Sequence, residues 1–283
     1  MDLILIFGLI VLASSKVTLQ GMFAKKHILT LTDSICFNGI IFLFSALIFI
    51  YALKCSFPVI IFGFVFGLFT VLFQLFYIQA MSCGNVSLTV LIVNMNMIAP
   101  IIISITFFNE KIGIIRALGL VTVIVSLVLN VEKSGKKMKR KWLVCSLLAF
   151  VCNSCLAVCQ QIFGKTEWKA ERVSFVAWSY IIATLISVVF YFIFRTEKEK
   201  QKFKISPLAI GYGLCIGVIL GVFQFLNTFA ISTIEASFMY PIYNGGTLIF
   251  TTLTGVILLK DRLSLKQIIT LIIGIVGIVL VNL

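Results

Sequence analysis

Long apolar runs separated by short polar breaks pattern almost the whole chain. Read between charged or polar interruptions, the runs fall at about 3–24, 32–53, 58–81, 85–107, 112–130, 142–163, 173–194, 206–231, 235–258 and 265–282. A helix needs roughly 20 mostly apolar residues to cross a hydrocarbon core of about 30 Å. The runs are continuous, not alternating, so they predict helices and exclude a membrane barrel. The expected fold class is all-α: a polytopic membrane protein with ten transmembrane helices. Hydrophobic residues make up 61% of the 283, and mean hydropathy is +1.16, which leaves no room for a soluble domain.

The second five runs echo the first five. Shifted by 150 residues, Gly63 and Gly67 fall on Gly213 and Gly217, Phe73-Gln74 on Phe223-Gln224, Ala80 on Ala230, and Asn94 on Asn244. Shifted by 140, Ser14 falls on Ser154, Gln20 on Gln160 and Phe23 on Phe163. The matches keep their order with a small drift in offset, which argues for a duplication. The halves are 1–131 and 142–283, joined by a basic linker at 132–141. Five spans return the chain on the opposite side, so the second half enters inverted. Glycines every fourth residue in the third and eighth runs predict close helix approach. Ser232 to Glu235 reads as a capping box opening the ninth helix, and tight hairpins are expected for the third and fourth and the eighth and ninth helices.

The net charge of +13 would suit nucleic acid only if it formed a stripe. It punctuates loops instead, so the expected partners are a lipid bilayer and a small molecule. Counted by connectivity, sixteen basic residues fall on one membrane face and six on the other, with Lys16 inside a span. Basic loops stay in the cytoplasm, which predicts a cell-membrane protein with both termini outside. The first run has no basic leader or clear cleavage site and is not read as a signal peptide.

Ionisable residues within spans are costly and mark function. Lys16, with Gln20 one turn on, is the clear case. It is either a snorkelling lysine or a buried cation that meets an anionic group of a substrate. No Asp or Glu lies deep in any span. Polar positions come in repeat-related pairs: Gln20 with Gln160, Gln74 with Gln224, Asn94 with Asn244. Amides donate and accept hydrogen bonds, so they serve either as substrate contacts or as interhelical glue; glue is favoured for Gln74 and Gln224. Asn38, Asn96, Asn153, Gln79, Gln161 and Asn227 carry less weight. Pro100 and Pro241 can kink their helices, and the segment from Pro241 to Gly246 is the candidate for a loosened stretch or hinge. The predicted substrate-binding set is Lys16, Gln20, Asn94, Gln160, Tyr243 and Asn244. Cys145, Cys152 and Cys159 recur every seven residues on one helix and read as a small-residue packing stripe. No metal site, cofactor or catalytic residue is expected, and the lone histidine, His27, sits in a loop.

The chain resembles the EamA-type ten-helix members of the drug/metabolite transporter superfamily. The likeness covers the whole chain. It rests on the two five-helix repeats and on the acidic-basic steps Glu110-Lys111 and Asp261-Arg262, each followed by a glycine-punctuated apolar helix. The resemblance implies secondary transport of a small metabolite, often export, by alternating access. It also implies cytoplasmic termini, against the charge count. Related small multidrug exporters rely on a carboxylate in the first helix; here no acid stands in that helix beyond Asp2, which shifts the expectation from cationic drugs to anionic, zwitterionic or neutral polar substrates. The rivals are an exporter of hydrophobic drugs and a non-transporting membrane scaffold with a dry, fully packed centre. The first, third, fourth, sixth, eighth and ninth helices are expected to line the site. One chain closes a complete site, so a monomer is expected, with a dimer the alternative.

Overall fold

The computed structural model describes residues 2–27, 30–83, 89, 92–109, 111–129, 140–195, 206–259 and 265–281. Most of the linker, the acidic-basic partners Glu110, Asp261 and Arg262, and the basic loop residues 196–205 lie outside them. The described residues are all helical, with no strand. The helices are α1 (Asp2–His27), α2 (Leu31–Phe49), α3 (Phe57–Cys83), α4 (Ile98–Phe107), α5 (Ile114–Leu129), α6 (Arg140–Lys165), α7 (Arg172–Phe194), α8 (Pro207–Thr233), α9 (Ala236–Leu259) and α10 (Leu265–Val281). Among the described residues six helices are long and apolar enough to cross a membrane, and shorter apolar helices stand at Ile92–Phe107 and Ile114–Ser126. Large apolar side chains such as Phe192 and Leu185 are more than half exposed on the outside of the bundle, a surface suited to lipid and unsuited to water.

Local chemistry sets the helix ends. Thr30 Oγ1 accepts from Asp33 N at 3.2 Å while Asp33 Oδ2 accepts from Thr30 N at 2.9 Å, a reciprocal cap that starts α2. Ser206 caps α8 by accepting from Ala209 N, with Pro207 at the first helical position, where a missing N–H costs nothing. Within Ile92–Phe107 the helix tightens to a 3-10 turn at Met95–Met97, directly after Asn94. Pro100 explains the position, because a proline ring clashes with the carbonyl four residues back, here that of Asn96. Pro241 behaves differently: α9 runs through it without a break, so the loosened stretch expected there is absent.

The expected capping box at Ser232 to Glu235 is not made. Ser232 Oγ donates to the Phe229 carbonyl at 2.7 Å, and Glu235 turns outward to pair with Arg116 at 2.7 Å. The two side chains are 32% and 54% exposed, and exposed pairs contribute at most about 1 kcal/mol. Glu235→Gln is therefore expected to lower stability by less than about 1 kcal/mol in a denaturation titration.

Several contacts gather the connections at one end of the bundle. Ser56 Oγ donates to Glu171 Oε2, joining the α2–α3 connection to the α6–α7 connection. The Arg172 guanidinium lies 4.8 Å from the Phe229 ring, and Lys165 lies 6.0 Å from that of Phe108. With Arg116 and Glu235 these bring together the connections that carry the smaller set of basic residues.

Helix pairing across the middle of the sequence builds the core. α2 packs on α7 and α8, α3 on α6 and α7, α1 on α8 and α9, and α5 on α10. The glycines make the tightest of these contacts. A Cβ at Gly67 would stand 2.6 Å from the Ser179 carbonyl oxygen and 3.1 Å from the Ala183 nitrogen. A Cβ at Gly217 would stand 2.8 Å from the Ile41 carbonyl oxygen and 3.3 Å from the Ser45 nitrogen. One contact is α3 on α7 and the other α8 on α2, and each glycine meets the same backbone atoms of its neighbour. Ser45, wholly buried, adds a hydrogen bond from Oγ to the Gly217 carbonyl at 2.8 Å.

Candidate functional site

At the centre of the bundle the structure leaves a cavity of about 200 Å³. α3, α6 and α8 supply most of the lining, α1 supplies Lys16, α9 supplies Tyr240 and Tyr243, and the 3-10 turn before α4 supplies Asn96. α2 and α7, absent from the expected lining, contribute Phe42 and Tyr180. These two rings stack on each other, their centroids 5.9 Å apart.

Much of the wall comes in pairs from the two halves. Thr70 and Leu220, Phe73 and Phe223, and Gln74 and Gln224 each differ by 150 in number, and all six residues line the cavity. Phe42 and Tyr180 differ by 138, the offset that also relates Ile41 and Ser45 to Ser179 and Ala183 in the glycine contacts. Lys16 and Leu156 differ by 140. Phe73 and Phe223, and Gln74 and Gln224, are identical, whereas Lys16 has Leu156 opposite it in number, so the charge falls on one side only.

Three of the six predicted site residues reach the cavity: Lys16, Gln160 and Tyr243. Among the described residues Lys16 is the only charged one in the lining, and no hydrogen bond or ion pair joins it to another of them. An ammonium so placed keeps water or an anion as its neighbour, because transfer to an apolar setting without a partner is costly. Tyr243 packs near Phe223, ring centroids 5.8 Å apart. The other three lie off the lining. Gln20 donates to Asn38 Oδ1 at 3.2 Å, and Asn38 Nδ2 donates to the Ser34 carbonyl at 2.9 Å, so this pair ties α1 to α2. Asn94 flanks the 3-10 turn. Asn244 follows Tyr243 on α9, and its buried Nδ2 has no partner.

The cavity also takes residues that carried little weight in the sequence: Gln74, Gln224, Asn96, Asn153 and Asn227. Gln74 and Gln224 were favoured as glue. Their shared offset was the available signal, and a pair from two halves that meet at a centre faces the centre together. On the α6–α8 wall the amides form a network. Gln160 Nε2 donates to Thr228 Oγ1 at 2.8 Å, and Asn227 Nδ2 donates to Gln160 Oε1 at 2.9 Å. Gln161, one residue on, is fully buried away from the cavity and donates from Nε2 to Ser104 Oγ at 2.5 Å.

An apolar helical bundle built around a cavity of mixed polar and aromatic lining is an integral membrane protein with a place for a small molecule. Residues 140–283 match the EamA-like transporter family. The chain belongs to that family and is a membrane transporter of the drug/metabolite type, which works on a small molecule in a lipid environment. Its fold is also found among solved structures. One, titled only as the crystal structure of a protein, superposes with a TM-score of 0.80 over 99% of this chain and 95% of its own, at 12% sequence identity. At that identity the likeness speaks for the fold alone. No curated protein matches the chain.

Proposed function

We propose that the chain is a secondary transporter that moves a small anionic or zwitterionic metabolite, in the direction of export, by alternating access. The carrying observation is the central cavity, whose one charged lining residue among the described residues is Lys16. The lysine receives the anionic group, Gln160 and Tyr243 hold the rest of the substrate, and the aromatic rings seal it from lipid.

The architecture behind this reading is ten spans in two inverted five-helix repeats, 1–131 and 142–283, joined at 132–141. The matched glycine contacts and the paired cavity lining support it, because a twofold relation between the halves would exchange α2 with α7 and α3 with α8, and so turn the α3–α7 contact into the α8–α2 contact. A cavity on such an axis can open to either side when the halves rock. The protein sits in the cell membrane with its basic loops cytoplasmic, both termini outside, and acts as a monomer.

The dimensions bear on the rivals. A scaffold needs a dry, packed centre, whereas this centre holds about 200 Å³ of space beside amides and an ammonium. Pockets for drug-sized ligands run to roughly 300–1,000 Å³, so the volume favours a small metabolite over a hydrophobic drug. The test is a thermal-shift screen of organic acids, amino acids, nucleosides, sugars and cationic drugs on the purified protein, followed by counterflow of each hit in sealed proteoliposomes. A small anion or zwitterion is expected to stabilise the protein and to exchange. Exchange of cations or bulky drugs alone would replace this reading.

A further inference from the structure

We infer that Phe73 and Phe223 form an aromatic clamp, and that the transported anion carries a flat unsaturated ring held between them. This deepens the reading of the central cavity as the transport site and rests on it.

The two phenylalanines occupy the same place in the two halves, 150 residues apart, on α3 and α8. Both line the cavity, and both are only half-buried. Phe42 and Phe66, also in the lining, are 2% and 4% exposed and belong to the packed core. Phe73 and Phe223 stand on separate walls. α3 packs on α6 and α7, α8 packs chiefly on α1, α2 and α6, and no comparable contact joins α3 to α8 among the described residues. Each ring is backed by a tyrosine instead of by the other ring. Phe73 stacks on Tyr77 with centroids 5.3 Å apart and planes at 25°, and Phe223 lies 5.8 Å from Tyr243 with planes at 31°. The backing takes one face of each ring and holds its orientation, which leaves the other face for a ligand.

Counterpart rings on two walls bear on the shape of what sits between them. They present like faces to the space they share. A planar ring also has two like faces, so it meets both walls equally well, which a branched aliphatic group or a sugar does not. Offset-stacked and edge-to-face contacts of this kind add attraction beyond the area they bury. The charge in the lining lies on one side only, at Lys16, so the acidic arm leaves the ring at its edge. A cavity of roughly 150 Å³ takes benzene, and about 200 Å³ leaves room for one ring with a short arm.

The test compares phenylacetate with cyclohexylacetate. Both carry an acidic arm on a six-membered ring, and only the first ring is flat and carries π electrons. Affinities for the purified full chain are measured by isothermal titration. Phenylacetate is expected to bind at least about fivefold more tightly, the scale of two aromatic contacts. The saturated ring is the more apolar of the two, so neither area burial nor partition into detergent can produce that order. Phe73→Leu and Phe223→Leu should each bring the two affinities within about twofold of each other. Phe73→Met or Phe223→Met takes the place of a leucine variant that does not fold. Phe73→Tyr and Phe223→Tyr, which keep a ring on each wall, should keep the preference. Lys16→Met should weaken both acids. Equal wild-type affinities that fall in Lys16→Met would overturn the clamp and leave the anion site standing, as would a preference that survives the loss of either ring. Failure of the wild-type protein to bind either acid, or binding that Lys16→Met leaves unchanged, would overturn the anion site itself, and this inference with it.

Discussion

Lys16→Met is expected to cost at least about 100-fold in the uptake of an anionic substrate while leaving the melting temperature unchanged or higher. The two halves of the expectation have one cause. Lys16 has no partner among the described residues and lies on the wall of a cavity inside the bundle. A lysine at the centre of a spanning helix costs about 2.5–3.5 kcal/mol on insertion scales, so a methionine of similar length relieves the folded protein. The substrate loses a hydrogen bond to a charged group, about 1.5–3 kcal/mol, and the coulombic attraction that goes with it. Three kcal/mol is already about two powers of ten. Uptake into sealed proteoliposomes and a thermal melt in detergent measure the two together. Lys16→Arg keeps the charge and should keep part of the uptake. A lysine that only snorkels to the surface predicts the opposite pattern, with uptake intact in Lys16→Met at normal expression.

Lys16 could be found from sequence because charge inside an apolar run is conspicuous, and the glycine stripes because their spacing is regular. Of the six expected site residues, Gln160 and Tyr243 line the cavity with Lys16, while Gln20 faces Asn38 and Asn94 adjoins a 3-10 turn. The reason lies in the helices themselves. A helix that is apolar all round has no polar face to set its rotation, so a mid-helix amide does not announce whether it points at the centre or at a neighbour. Gln20 and Gln160, which differ by 140 in number, show this plainly: one is a tether between helices and the other lines the cavity. The internal offset carried more information than residue type. Phe73 with Phe223 and Gln74 with Gln224 meet at the cavity as counterparts, though the amides read as glue and the rings as packing. Short-range signals failed where tertiary partners competed for them. Glu235 could have capped its own helix, but Arg116 from α5 holds it. Of two prolines with the same local chemistry, Pro100 follows a 3-10 turn and Pro241 lies in uninterrupted α-helix.

Gly67→Ala and Gly217→Ala are each expected to destabilise the protein by about 1–3 kcal/mol, the range for forcing an extra methyl group into a packed interface. The atoms that a new Cβ would meet decide the sign. At Gly67 they are the Ser179 carbonyl oxygen at 2.6 Å and the Ala183 nitrogen at 3.1 Å, both backbone. At Gly217 the nearest is Phe44 Cβ at 2.7 Å, fixed to its own backbone, followed by the Ile41 carbonyl oxygen at 2.8 Å and the Ser45 nitrogen at 3.3 Å. A side chain could swing aside, but a helix backbone cannot, so the whole of α7 or α2 must move away. In the second case the Ser45 bond to the Gly217 carbonyl stretches as well. Helix propensity works against this cost, since alanine in a helix gains up to about 1 kcal/mol over glycine. Gly211 isolates that term. It lies on the same helix as Gly217, a Cβ there meets nothing within 4 Å, and Gly211→Ala is expected to be neutral or stabilising. Melting temperatures of the three variants in one detergent therefore separate close approach from propensity. Equal losses at Gly67 and Gly217 would further say that the two interfaces carry the same strain, as the proposed duplication requires. If all three alanines behaved alike, the tight contact of α3 with α7 and of α8 with α2 would be wrong, and the twofold relation drawn from it would lose its best support.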